Sequence, residues 1–202
     1  MDTMRILIVG ATGTIGHAVA AALQGRHELI LASRSKSHER VDIADPASIR
    51  ALFQRVGRVD AVVSAAGEAA WKPLAELTDK DFAFSVGSKL MGQVNLVRAG
   101  AEAVADGGSF TLTSGILATR PTPGGAAISM VNAGVDAFAR AAALELPRGI
   151  RINVVSPPWV AETLAAMGRD PSGGLPAADV ARSYVESIEG RQTGAVITPK
   201  RR

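Results

Sequence analysis

The feature that most constrains this chain lies near its start, where the apolar run Ile6-Leu7-Ile8-Val9 leads directly into glycines at positions 10, 13 and 16. A strand covered on both faces needs a continuous apolar stretch, so residues 5–9 read as a buried parallel strand. The alanine-rich, helically spaced residues 14–24 read as the helix that follows. A helix N-terminus opening from such a turn presents unpaired N–H groups and a positive dipole end, which suit a pyrophosphate. The G-x-x-G-x-x-G spacing permits a tight turn, close backbone approach to phosphates, and packing of helix on strand. Gly10, Thr12, Gly13, Thr14, Ile15 and Gly16 are therefore the residues expected at a dinucleotide.

The same alternation continues along the chain. Strands are expected at 28–32, 40–43, 59–64, 109–113, 150–155 and 195–198. Helices are expected at 47–55, 78–104, 126–146 and 176–188, with Asp45-Pro46 and Thr78/Asp81 as N-terminal signals. A loop rich in Pro and Gly follows strand six, through Pro157-Pro158 and residues 171–176, and its variable part, residues 161–176, is short for a lid over a substrate. This order predicts an α/β, Rossmann-type doubly wound parallel sheet of about seven strands with helices on both faces. With no internal repeat or linker, residues 1–202 are expected to form a single domain.

Aromatic residues make up only 4% of the chain, so the core must be built from Ala, Val, Leu and Ile. There is no cysteine, which excludes disulfides, Cys-ligated zinc and thiol catalysis. The net charge of +3 is small and no basic run is interleaved with aromatics, so nucleic acid is not an expected partner. No stretch approaches the ~18 apolar residues of a membrane span. A strand beginning almost at once leaves no room for a signal peptide, and the expected location is cytoplasmic.

The end of the second strand bears on which dinucleotide is bound. A site for unphosphorylated NAD usually places Asp or Glu there, whereas this chain has Ala32-Ser33-Arg34-Ser35. The hydroxyl of Ser33 and the guanidinium of Arg34 suit a 2′-phosphate, so NADP is preferred over NAD.

These motifs, taken in order, resemble those of the short-chain dehydrogenase/reductase family over nearly the whole chain. Asp42-Ile43 is similar to the pair that contacts adenine, and Ser64-Ala65-Ala66-Gly67 to the Asn-Ala-Gly segment after strand four. Ser114 stands where the catalytic serine ends strand five. Residues 141–146 and 149–153 resemble the passage from the catalytic helix into strand six, and Pro157-Pro158-Trp159-Val160 the loop near the nicotinamide. The resemblance implies cofactor contacts at Asp42, Ile43, Ala65, Ala66, Gly67 and Pro157.

The chain departs from the family where chemistry is concentrated, and reads as a short atypical member. The family's catalytic tyrosine and the lysine four residues later fall on Ile128 and Asn132. The only tyrosine, Tyr184, lies far down the chain and reads as a packing residue. Where the family carries asparagine, three residues before a glycine, this chain has Lys89 before Gly92. The two departures suggest a swap in which Lys89 and Asn132 face each other.

The expected activity is that of an NADP-dependent oxidoreductase acting on a small carbonyl or alcohol with a non-standard catalytic set. In it Ser114 hydrogen-bonds the carbonyl, Lys89 stabilises charge or donates a proton, and Asn132 faces Lys89. The alternative is a catalytically inactive NAD(P)H-binding sensor or partner-binding protein; isomerase or dehydratase chemistry is a third reading. Trp71 and Trp159 are expected to wall a substrate pocket, with Glu68 as a weak alternative acid. His17, His27 and His38 read as surface residues, and Asp136 and Glu145 as structural or interfacial. The Ala- and Gly-rich faces of the two long helices suggest a homo-oligomer, dimer or tetramer.

Overall fold

In a computed structural model, which describes residues 2–201, the apolar start of the chain is the middle of a parallel sheet. Strand β1 (Arg5–Val9) pairs with β2 (Glu28–Ser33) on one side and β4 (Val59–Ser64) on the other. A short β3 (Glu39–Arg40) lies outside β2, while β5 (Val104–Thr113), β6 (Arg151–Val155) and β7 (Val196–Ile197) extend the other edge. The order is β3-β2-β1-β4-β5-β6-β7. Chain progression reverses between β1 and β4, and the crevice beyond their C-terminal ends is where open α/β sheets bind ligands.

Side-chain alternation along β1 builds two cores. Ile6 and Ile8 face α1 (Thr14–Leu23) and α7 (Ala177–Glu189), packing with Leu23, Val63, Tyr184 and Ile188. Leu7 and Val9 face the opposite layer, which is made by α2 (Pro46–Val56), α4 (Gly92–Gly100) and α5 (Ala126–Glu145). The N-terminal signals of two helices form as the sequence implies. Asp45 accepts from the Ala47 N–H, and Thr78 with Asp81 makes a reciprocal capping box before α3 (Asp79–Ser85).

The expected helix over 78–104 differs from the structure. α3 and α4 are joined by a π-helical turn, Val86–Met91, and the helix ends at Gly100. A side chain at Gly100 would collide with the Phe53 ring, and the Ala103 carbonyl already accepts the Val59 N–H, which draws the chain into the sheet. β5 therefore begins at Val104 rather than 109, across a bulge at Gly107-Gly108. The third strand is Glu39–Arg40 rather than 40–43, because Asp42 turns the chain by accepting from the Ala44 N–H. Residues 156–176 are more ordered than a loop: α6 (Ala161–Ala166) and a Pro171–Gly173 turn fold back, with Leu175 donating to the Trp159 carbonyl and accepting from Ala161.

Two side chains settle their expected roles differently. His27 is not a surface residue: its Nδ1 accepts from the Met4 N–H and its Nε2 meets Glu189 at 3.1 Å. Tyr184 is a packing residue, fully buried, with its hydroxyl 2.5 Å from Thr113 Oγ1. Thr113 donates its own proton to the Ser64 carbonyl, so the Tyr184 hydroxyl is the donor in that pair. Burial pushes the phenol well above its usual range. Tyr184→Phe should cost about 1–2 kcal/mol by leaving Thr113 short of a partner. Thermal unfolding should register this as a fall of roughly 2–8 °C with the fold retained.

Candidate functional site

Steric surroundings give the three turn glycines different tasks. Gly10 has φ +86, and a Cβ there would stand 2.5 Å from the Ala65 carbonyl oxygen. A Cβ at Gly16 would collide with the Gly10 carbonyl. Gly13 differs: its φ of −80 suits any residue, and a Cβ would meet only the Gly10 oxygen, at an ordinary 3.4 Å. The fold needs glycine at 10 and 16. At 13 the bare backbone leaves space in front of the α1 N-terminus, the cradle a pyrophosphate requires.

A groove of about 420 Å³ runs outward from this cradle. Gly10, Thr12 and Gly13 line one end, Ser33, Arg34, Asp42 and Ile43 the other, and Ala65, Ala66 and Gly67 the floor between. Thr14 begins α1, Ile15 faces the neighbouring pocket, and Gly16 lies beneath the turn. Ser33 contributes less than expected: its Oγ accepts from the Lys36 and Ser37 N–H groups, so only its proton is left for a ligand. Arg34 is exposed at the mouth and meets Glu68 at 3.0 Å, a neighbour that raises its pKa. Glu68 thus belongs to the groove mouth, away from the position of a catalytic acid.

The second cavity, about 330 Å³, adjoins the groove where Gly67 lies against Lys89. A Cβ at Gly67, whose φ is +117, would sit 2.9 Å from the Lys89 Cα. Lys89 stands on the π turn and is 9% exposed. Desolvation lowers its amine to about 8. Ser114, at the end of β5, and Asn132, on α5, line the same cavity, as does Pro157. Ser114 Oγ and Asn132 Oδ1 are buried without a hydrogen-bond partner among the described residues. Ile128 forms apolar wall one helical turn before Asn132. Asp136, a turn beyond, is buried as well; burial raises its carboxyl pKa, opposed by the nearby Ser114 hydroxyl and Arg140. That hydroxyl approaches Asp136 without a bond of normal geometry, and Asp136 Oδ1 too lacks a partner among the described residues.

Sequence reasoning missed the residue that holds these groups in place. Gln93, fully buried, donates to the carbonyls of Lys89 and Thr113 and accepts from the Thr113 N–H. It ties the π turn bearing Lys89 to the strand end bearing Ser114. Its signal was a polar residue one turn beyond Lys89 on a helix face that must be buried.

Comparison with known proteins places the chain in a wider group. The family model described as enoyl-(acyl carrier protein) reductase matches residues 10–192. An uncharacterized NAD-dependent oxidoreductase of Mycobacterium tuberculosis is 37% identical over 91 residues, 42% of this chain. That match spans 33% of the relative, so the chain covers about a third of the curated relatives it matches. The crystal structure of a protein from Listeria innocua superposes with a TM-score of 0.93 at 45% identity, over 97% of this chain and 99% of that one. A small-chain dehydrogenase in complex with NADPH superposes at 0.86 with 28% identity, over 98% and 96%.

Two outcomes follow. Gly16→Ala should abolish cooperative folding or lower the unfolding temperature by many degrees, whereas Gly13→Ala should unfold within about 2 °C of the parent in a thermal melt. The lowered amine of Lys89 destabilises the fold fully below about pH 8, because the unfolded chain holds that proton more tightly. Stability therefore rises as pH increases from about 8 to 10.5. Lys89→Met should be more stable than the parent at neutral pH by on the order of 3 kcal/mol. The gap should close across that window in denaturant titrations.

Proposed function

The chain belongs to the short-chain dehydrogenase/reductase family, and from that premise we propose that it is a single-domain NADP-dependent oxidoreductase acting on a small carbonyl or alcohol. One observation carries the reading: three buried polar side chains, Ser114, Asn132 and Lys89, line one apolar pocket beside a bare phosphate cradle. Unpartnered buried groups are costly, so the unpartnered Ser114 Oγ and Asn132 Oδ1 favour a ligand that completes them.

When bound, the nicotinamide supplies hydride chemistry. Gly10, Gly13 and the α1 N-terminus would hold the diphosphate, while Ile43 and Asp42 would bound the adenine end of the groove they line. Ser114 donates its hydroxyl proton to the substrate carbonyl oxygen. The Lys89 ammonium stabilises the charge that develops there and gives up its proton, acting across an apolar cavity where such interactions are strengthened. Asn132 accepts a hydroxyl hydrogen through its free Oδ1. Losing the family's tuned tyrosine costs roughly 10²–10⁴-fold in rate, so turnover is slow.

NADP preference rests on the exposed Arg34 and the lack of an acid at the end of β2, and the NADPH complex of the related dehydrogenase is in keeping with it. Arg34 would exchange Glu68 for a 2′-phosphate. Arg34→Ala should weaken NADPH binding roughly tenfold in calorimetry and leave NADH unchanged. Cytoplasmic residence and homo-oligomerisation complete the proposal. Phe84 on α3 and Met130 on α5 are half exposed, and no helix among the described residues is long and apolar enough to cross a membrane.

The test is nicotinamide oxidation at a panel of aldehydes, ketones and quinones. Carbonyl reduction should fall as pH rises through about 8, where Lys89 loses its proton, and Lys89→Met should lack that step. Ser114→Ala should lose about 10²-fold or more. Tight cofactor binding without turnover on any substrate would instead favour a dinucleotide sensor, the reading supported by the sequestered hydroxyl of Tyr184.

A further inference from the structure

The walls of the Lys89 cavity say what shape of molecule fits it. At about 330 Å³ it lies at the small end of ligand sites, which run from roughly 300 to 1,000 Å³. The chain has two tryptophans, and both stand here, Trp71 and Trp159, with ring centroids 5.4 Å apart and planes inclined by 58°. Each is positioned by backbone. The Lys72 N–H donates to the Gly124 carbonyl beside Trp71, where a Cβ at Gly124 would crowd the indole nitrogen at 2.9 Å. The Trp159 carbonyl accepts from Leu175. In a chain with 4% aromatic residues, this placement builds a surface for a flat, conjugated ligand.

The charge pattern adds a second requirement. No Asp or Glu lines the cavity. Lys89 lines it, and the Arg169 guanidinium, beside the lining rather than part of it, lies 5.3 Å from the ring centroid of the wall residue Trp159. Arg169 forms no salt bridge among the described residues. The carboxylates nearest to it in sequence are engaged elsewhere: Asp170 bonds the Ser172 N–H and hydroxyl, and Glu162 accepts from the Ala177 N–H. One cation, Lys89, thus lines the aromatic cavity, and a second, Arg169, without a carboxylate partner among the described residues, lies against one of its tryptophan walls.

Resting on the oxidoreductase reading, we propose that the substrate is a small planar aromatic aldehyde or ketone bearing a carboxylate. Its ring lies against Trp71 and Trp159, its carbonyl points to Ser114 and Lys89, and its carboxylate meets Arg169. In the reaction the carbonyl carbon gains hydride from NADPH and the carbonyl oxygen gains a proton from Lys89. The products are the aryl carbinol and the oxidised cofactor.

The test is binding, read without turnover. Tryptophan emission and calorimetry are recorded with para-formylbenzoate, benzaldehyde and cyclohexanecarboxaldehyde, with and without oxidised NADP, after cofactor binding has been measured on the same sample. Since both tryptophans line the cleft, emission reports its occupancy directly. The expected order is para-formylbenzoate tightest and the saturated aldehyde weakest, with each step roughly threefold to tenfold. Arg169→Ala should erase the advantage of the carboxylate and leave benzaldehyde unchanged. Trp71→Leu should weaken both aromatic ligands alike. Equal binding of the saturated aldehyde, an undiminished carboxylate preference in Arg169→Ala, or no measurable binding of any of the three overturns the inference. Selective aromatic binding without turnover supports it and overturns the oxidoreductase reading alone.

Discussion

The Gly10 carbonyl fills the space a side chain on Gly16 would occupy, and the α-carbon of Gly10 faces the Ala65 carbonyl at the end of β4. This contact of bare backbones locks α1 against the sheet and fixes the direction in which its N-terminus opens. It leaves Gly13 uncrowded, so the same turn that packs the fold also leaves the backbone bare in front of the α1 N-terminus, where a phosphate would be received. The groove and the Trp-walled pocket beside it are both placed with respect to that turn, because the strands supplying their floors pair in register with β1 or its neighbours.

The proposed chemistry depends on a second local irregularity. Shifting the helix before β5 into a π turn over Val86–Met91 changes which face carries Lys89. π turns occur disproportionately at functional sites. Gln93 then fastens this turn to the end of β5 through three hydrogen bonds. A buried amine is an expensive group to keep, and its burial brings its titration into the range where a proton can be exchanged with a substrate oxygen. The cation is thus delivered from the helix preceding β5, while α5, at Ile128 and Asn132, contributes an apolar wall and an amide.

Much of the fold was legible because its signals are local. The apolar run before Gly10 and the capping residues Asp45, Thr78 and Asp81 all announce their elements through nearest-neighbour chemistry. The start of β5 was hidden because Gly107-Gly108 resembles a turn, and only the pairing with β4 reveals a bulge. The convergence of Lys89, Asn132 and Ser114 on one pocket could be anticipated from the register of two helices. The π turn that aims Lys89 could not, since a one-residue shift in hydrogen bonding has no compositional signature. The committed lone pairs of Ser33, the Arg34–Glu68 pair and the meeting of Trp71 with Trp159 depend on loop approaches that only the assembled sheet creates.

The central claim is that a buried Lys89 supplies the proton-active cation of a nicotinamide pocket. Its most direct test is the titration of the Lys89 amine, followed by NMR on selectively labelled lysine, in the free protein and with NADP bound. The account predicts an amine that titrates near 8 and shifts when the cofactor is added. An amine that titrates near the ordinary 10.5 and ignores the cofactor would contradict it.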